Sequence, residues 1–357
     1  MAQHTERNDS TSQDDRRLDR RSFLTKTALA GTATLIPMGG LLAASSKWQG
    51  REGHISEGDA AILRFLAAAE ILETDAWQQY NELANGNPDY MAALQNIDGD
   101  MPTYVSQNTE DELTHFTFLN AFLRSQHKQP VSLEAFRTLP SSSATGAQNT
   151  KRLTNLMHLN VDTSWYTRYR SDLNPDFGDM PPQIVTITDR PGIPLHDGYT
   201  ANQIQAIANT GAFHFAMIEQ GGSSLYDVMA NNAESSLALR VIASIGGTEV
   251  AHFNIWNDKA GDCPAVDSGD GLVFPDLHAN STFIANQVMP KPCKFISASL
   301  PVCSIIRPTS LRLAGATAAV HFLTDTGLFH GQSRAFFNTM LELAAAADSA
   351  MHGPNQP

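Results

Sequence analysis

The residues best suited to chemistry form a repeated pattern. Glu112-Leu113-Thr114-His115 and Glu249-Val250-Ala251-His252 both read Glu-x-x-His. On a helix, a spacing of three puts both side chains on one face. Two further glutamates, Glu73 and Glu219, each interrupt an apolar helical stripe. A carboxylate in a helical core is costly unless it is paired or bound to a metal. Together these residues supply four carboxylates and two imidazoles. Two divalent ions lying close together need bridging anionic oxygens, which two glutamates can provide. Each ion then takes one terminal carboxylate and one imidazole. Mixed oxygen and nitrogen ligands suit iron or manganese, with zinc as the common competitor. The expected metal set is therefore Glu73, Glu112, His115, Glu219, Glu249 and His252, holding two iron or manganese ions.

A lone Glu-x-x-His is a weak signal; two of them in an inward phase carry more weight. A second echo supports them, because Glu73 is followed seven residues on by Tyr80 and Glu219 by Tyr226. Glu-x6-Tyr followed by Glu-x-x-His occurs twice, which reads as a duplicated helix pair. Tyr80 and Tyr226 could hydrogen-bond ligand carboxylates, or serve as plain core aromatics. Glu70 competes with Glu73 for the first ligand position; the stripe and Tyr80 favour Glu73. Glu110 competes with Glu112 but lacks a histidine three residues on. His214 lies five residues before Glu219, off its phase, and reads as a core histidine. His321, His330 and His352 show no ligand spacing. Asn280-Ser281-Thr282 matches a glycosylation acceptor and reads as incidental.

Four segments have the periodicity needed to position the set. The first runs from Glu57 to Ala84 with the stripe Ile62, Leu66, Ala69, Glu73, Ala76, Tyr80, and stops at Gly86-Asn87-Pro88. The second runs from Thr103 to Gln126, with Glu112, His115, Leu119 and Phe122 on one face. The third runs from Thr200 to Asn231 and the fourth from Ala233 to Lys259, before Gly261. The crossover, 127–199, contains a polar linker at 139–146, a short helix near Leu153–Arg170 and a Pro/Asp/Gly-rich stretch. Beyond Gly261 the chain reads as an irregular extension, 261–357, ending in a helix at Arg334–Ala347. The fold class expected is all-α: an up-down-down-up four-helix bundle over 57–260 with one long crossover.

The 357 residues carry a net charge of −13, 42% apolar residues and 17% charged residues. No segment is basic enough for a nucleic-acid footprint, so no nucleic-acid partner is expected. Cys263, Cys293 and Cys303 have no CxxC spacing, which excludes a zinc ribbon or thioredoxin motif. Cys293 and Cys303 could pair across a short loop, leaving Cys263 free; other pairings are equally open. Residues 1–45 read as an address. Arg20-Arg21-Ser22-Phe23-Leu24 precedes a moderately apolar run from Ala28 to Ala44 broken by Gly31, Pro37, Gly39 and Gly40. This resembles a twin-arginine (Tat) export signal, and the run is short for a membrane span. It implies a periplasmic or extracellular protein that engages the Tat machinery, or a membrane-anchored one if the signal is retained.

The ligand pattern resembles the ferritin-like superfamily over residues 57–260, and most nearly its desiccation- or stress-related group. In ferritins a Glu followed seven residues on by Tyr is familiar on the first helix. The resemblance implies a dinuclear oxidoreductase acting on dioxygen or peroxide, as an oxidase, ferroxidase or catalase-like enzyme. Its partners would be metal ions and a small oxidant, and a homo-oligomer is among the expected states. The signal, crossover and extension depart from compact ferritin and argue against a storage cage. The alternative is a non-enzymatic protective protein with a structural or vestigial metal site.

Overall fold

The computed structural model describes residues 54–168, 183–279, 292–305 and 314–350. The expected export signal lies outside them. The described chain is mostly helical with few strands.

Helix α1 spans Glu57–Gly86 and starts with a capping box, in which Ser56 Oγ accepts from Asp59 N at 2.9 Å and Asp59 reaches back to Ser56 N. Asp59 also accepts from Glu234 N at 2.8 Å, joining this helix end to a turn far along the chain. Asn87 ends α1 and caps α2, Pro88–Gln95, with Pro88 at its start. The expected stop at Gly86-Asn87-Pro88 is thus also the start of a second helix. Proline lacks an N–H that the first helical turn leaves unused anyway. Helix α3 spans Met101–Ser125.

The crossover departs from expectation. In place of a helix over Leu153–Arg170, Leu159–Val161 forms strand β1 and only Trp165–Arg168 (α4) is helical. Strand β1 pairs antiparallel with β2, Ile187–Arg190, a partner far along the chain. The crossover is bound to α1 through Asp75, a buried carboxylate. It pairs with Arg137 and accepts from Leu153 N and Thr154 N, both at 2.9 Å.

Helix α5, Ala201–Asn232, opens with a Thr200–Gln203 capping box, and α6, Ser236–Gly261, is capped by Ser235. Helix α1 packs along α3, and α5 along α6. The two pairs meet where α1 touches α5 and α6. Trp77, Phe215 and Trp256 fill this meeting point, with ring centroids 4.8 to 5.2 Å apart. Aromatic contacts of this kind contribute about 0.5–1.5 kcal/mol each beyond the area they bury.

The C-terminal extension is less irregular than its composition suggests. Two short hairpins, β3–β4 (Val266–Asp267, Val273–Phe274) and β5–β6 (Pro292–Cys293, Cys303–Ser304), precede α7, Ala316–Asp325, and α8, Arg334–Asp348. Helix α8 lies on α1, and α7 on α8. Cys293 and Cys303 are register partners; the Cys303 thiol is free and exposed, and that of Cys263 free and buried. Among the described residues no helix is long and apolar enough to cross a membrane.

Candidate metal centre

Two helices bring the Glu-x-x-His residues inward. On α3, Val105, Asn108, Glu112, His115 and Leu119 are buried at steps of three and four. On α6, Ile242, Ile245, Glu249, His252 and Trp256 do the same. Helix α1 contributes Glu70 and α5 contributes Glu219, both buried. The side chains meet as two groups of four, Glu70–Glu112–His115–Glu249 and Glu112–Glu219–Glu249–His252. Within each group the ligand atoms lie within 4.8 Å of one another. Ligands around one ion at about 2.1 Å span up to roughly 4.3 Å, so small side-chain movements would close either group on a cation. Glu112 and Glu249 belong to both groups. Buried Glu and His residues here could hold metal.

The histidines aim Nδ1 at the carboxylates. His115 Nδ1 lies 3.0 Å from Glu112 Oε2 and 3.3 Å from both Glu70 Oε2 and Glu249 Oε1. His252 Nδ1 lies 3.0 Å from Glu112 Oε1 and 3.3 Å from Glu219 Oε2. Yet His252 Nδ1, Glu219 Oε2 and both Glu249 oxygens have no aligned hydrogen bond. Buried polar atoms left in this way are costly, and lone pairs converging on a common point are what a cation would satisfy.

The electrostatics agree. Burial pushes Glu112 and Glu249 well above the usual carboxylate range, and their neighbours' negative charges push in the same direction. Burial alone would disfavour charged His115, but the Glu112, Glu249 and Glu70 carboxylates 3.0 to 3.3 Å from Nδ1 outweigh it and raise its pKa. His252 is likewise raised: burial opposes the charge, and Glu219, Asp111 and Glu112 overcome it. Without a metal the cluster therefore holds protons in place of cations.

Glu112, His115, Glu219, Glu249 and His252, all expected from the sequence, fall in the two groups; Glu73 falls in neither. The position on α1 goes to Glu70, three residues earlier. Glu73 sits beside the cluster, half-buried, with Oε1 buried and unpartnered. Burial, then the charges of Glu219, Glu249 and Glu70, raise its pKa strongly. The stripe could not choose between them because α1 is buried almost all round.

The tyrosines differ from each other. Tyr226 donates to Glu70 Oε1, whereas the Tyr80 hydroxyl meets His214 Nδ1 at 2.8 Å and touches no ligand carboxylate. His214 lies in neither group; burial lowers its pKa to about 3, so it is neutral. Two further residues support the cluster, Asp111 and Asn108. Asp111 accepts from His252 Nε2 at 3.0 Å, which leaves Nδ1 free for a metal. Asn108 donates to Glu112 and Glu219 at 2.9 Å each and accepts from Trp256 Nε1 at 2.8 Å. Asn108 was visible as a polar residue four before Glu112 on its stripe; Asp111, at the helix edge, gave no such signal.

Comparison with known proteins adds no relative: no family model matches the chain, and no curated protein or solved structure is significantly similar to it.

Proposed function

We propose that this chain is a ferritin-like, exported oxidoreductase whose four long helices form a bundle around two iron or manganese ions and act on dioxygen or peroxide. The observation that carries the reading is the pair of four-residue groups sharing Glu112 and Glu249. Two shared carboxylates, with one further glutamate and one imidazole for each group, make a donor set for two neighbouring ions. Its oxygen and nitrogen atoms match iron and manganese. When bound, such a pair would supply one-electron chemistry toward a small oxidant. The protein's own part is to hold the ions through Glu70, Glu112, Glu219, Glu249, His115 and His252. Asp111 and Tyr226 orient His252 and Glu70 within the buried cluster. The paired arginines and apolar run of residues 20–44 are the basis for export.

The test is elemental analysis of the mature protein from a host able to load and export it. Two iron or manganese ions per chain are expected, and Glu112→Ala or His252→Ala should remove them together with any oxidase or peroxide turnover. Turnover that survives an emptied site would place the chemistry elsewhere. Zinc alone, or no metal after loading attempts, would overturn the redox reading in favour of a non-enzymatic protective protein with a structural or vestigial site.

A further inference from the structure

The C-terminal extension forms one wall of a partly open pocket beside the Glu/His cluster. The pocket holds about 50 Å³ between α1, α5 and the segment from α7 to Leu328. Its walls are apolar: Ala69, Leu72 and Ala76 of α1, Met217 and Leu225 of α5, with Phe322 of α7 across from them. Glu73 is the one charged side chain lining it, and its buried Oε1 has no hydrogen-bond partner. Gly222 also lines it, and a Cβ there would lie 2.4 Å from Glu249 Oε2. Gly222 therefore stands between the pocket and a carboxylate shared by both ligand groups.

Size and lining choose the occupant. On the same measure a water needs about 10–15 Å³, and an apolar cavity of about 150 Å³ takes benzene. A volume near 50 Å³ admits a diatomic molecule and refuses an aromatic ring. Hydrogen peroxide brings two O–H donors and several acceptor lone pairs, and burying these unsatisfied is costly. One carboxylate cannot satisfy them. Dioxygen has no donor and loses little hydration.

We propose that this pocket binds dioxygen and delivers it to the metal pair, making dioxygen, not peroxide, the oxidant; the inference rests on the metal-centre reading above. In the assay below, each dioxygen takes one electron from each of two ferrous ions and two protons from solvent, and leaves as hydrogen peroxide.

Xenon, an apolar probe that needs no metal, reports on the pocket directly. The mature protein, metal-free and iron-loaded, would be studied by crystallography under xenon pressure, beside Ala319→Leu. Ala319 lines the pocket from α7, away from every ligand. Xenon is expected between Phe322 and Gly222 in both wild-type forms and is expected to be absent from the variant. The variant should keep its iron, lose at least tenfold in the rate of ferrous oxidation by dioxygen, and oxidise with hydrogen peroxide within twofold of wild type. Should Ala319→Leu fail to fold, Ala319→Val gives the same reading at smaller amplitude. An empty wild-type pocket, an unchanged dioxygen rate in a variant that excludes xenon, or equal slowing with both oxidants would overturn the proposal. If wild type takes xenon but binds no redox metal, the metal-centre reading fails and the pocket stands as a gas-binding site.

Discussion

Gly222→Ala separates the stability of the fold from the assembly of the metal centre. Gly222 lies inside α5, where replacing glycine by alanine gains about 0.5–1 kcal/mol of helix stability. The added Cβ would meet Glu249 Oε2 at 2.4 Å and Glu249 Cδ at 3.3 Å. No backbone blocks it, and the Oε2 atom is the far end of a flexible chain, so the carboxylate can swing aside at small cost. The metal-free variant should therefore fold and gain about 2 °C in thermal midpoint, the scale of a 1 kcal/mol change in a large domain. Metal binding should move the other way. Glu249 belongs to both ligand groups, so its displacement weakens both sites. Even outer partners of metal ligands are worth about 10–100-fold in affinity, so a loss of at least about tenfold is expected. Calorimetry of the metal-free form and competitive metal titration would measure the two effects on one preparation. A variant that loads two ions with unchanged affinity would refute the assignment of Glu249 as a shared ligand.

Two further outcomes follow from the same contacts. Asp111→Ala removes the partner of His252 Nε2 and frees the ring to rotate; metal titration should show affinity falling about 10–100-fold, chiefly at one of the two ions. Equal weakening of both ions would contradict the separate pairing of His252. The stability of the metal-free protein should fall as pH rises. Glu73, Glu112 and Glu249 have folded pKa values raised above the ordinary 4.5, so the native state keeps protons that the unfolded chain releases above that pH. His115 and His252 are raised above 6.5, so their contribution is complete below 6.5 and is lost as pH rises through their folded values. Both trends lower stability above neutrality, whereas metal affinity rises with pH because binding releases those protons. Thermal midpoints of both forms from pH 5 to pH 9 would check this; a metal-free midpoint that climbs over that range would refute it.

What the sequence revealed depends on whether an element has a solvent side. Helices α3 and α6 each keep one wet face, so their inward residues repeat cleanly and Glu112, His115, Glu249 and His252 could be read directly. Their ends came within three residues of the observed ones. Helix α1 has almost no solvent face, because α8 and the crossover cover what α3 and α5 leave. Its apolar pattern therefore has no single phase, and Glu70 and Glu73 could not be ranked by it. Asp75 was missed for the same reason: it is buried toward the crossover, where Arg137 and two backbone N–H groups meet it. Strand β1 depends on pairing with β2 almost thirty residues on, which no local pattern reports. Helices α2 and α7, at 8 and 10 residues, offer few turns from which to read a period.

The burial that hid the phase of α1 also bears on how the site can work. In the metal-free state the carboxylates of Glu70, Glu112, Glu219 and Glu249 crowd around two imidazoles, and the cluster resists folding rather than driving it. Stability has to come from contacts independent of the site. The structure supplies them around it: the Asp59 link between α1 and the α5–α6 turn, the Asp75–Arg137 pair, and the Trp77–Phe215–Trp256 stack. A frame held this way can keep unsatisfied groups that could hold a metal facing one another. The same covering of α1 by the C-terminal extension leaves Glu73 at the wall of an apolar pocket and not in solvent. On the proposed reading, changes to α7 should be read in oxidant access before they are read in metal content.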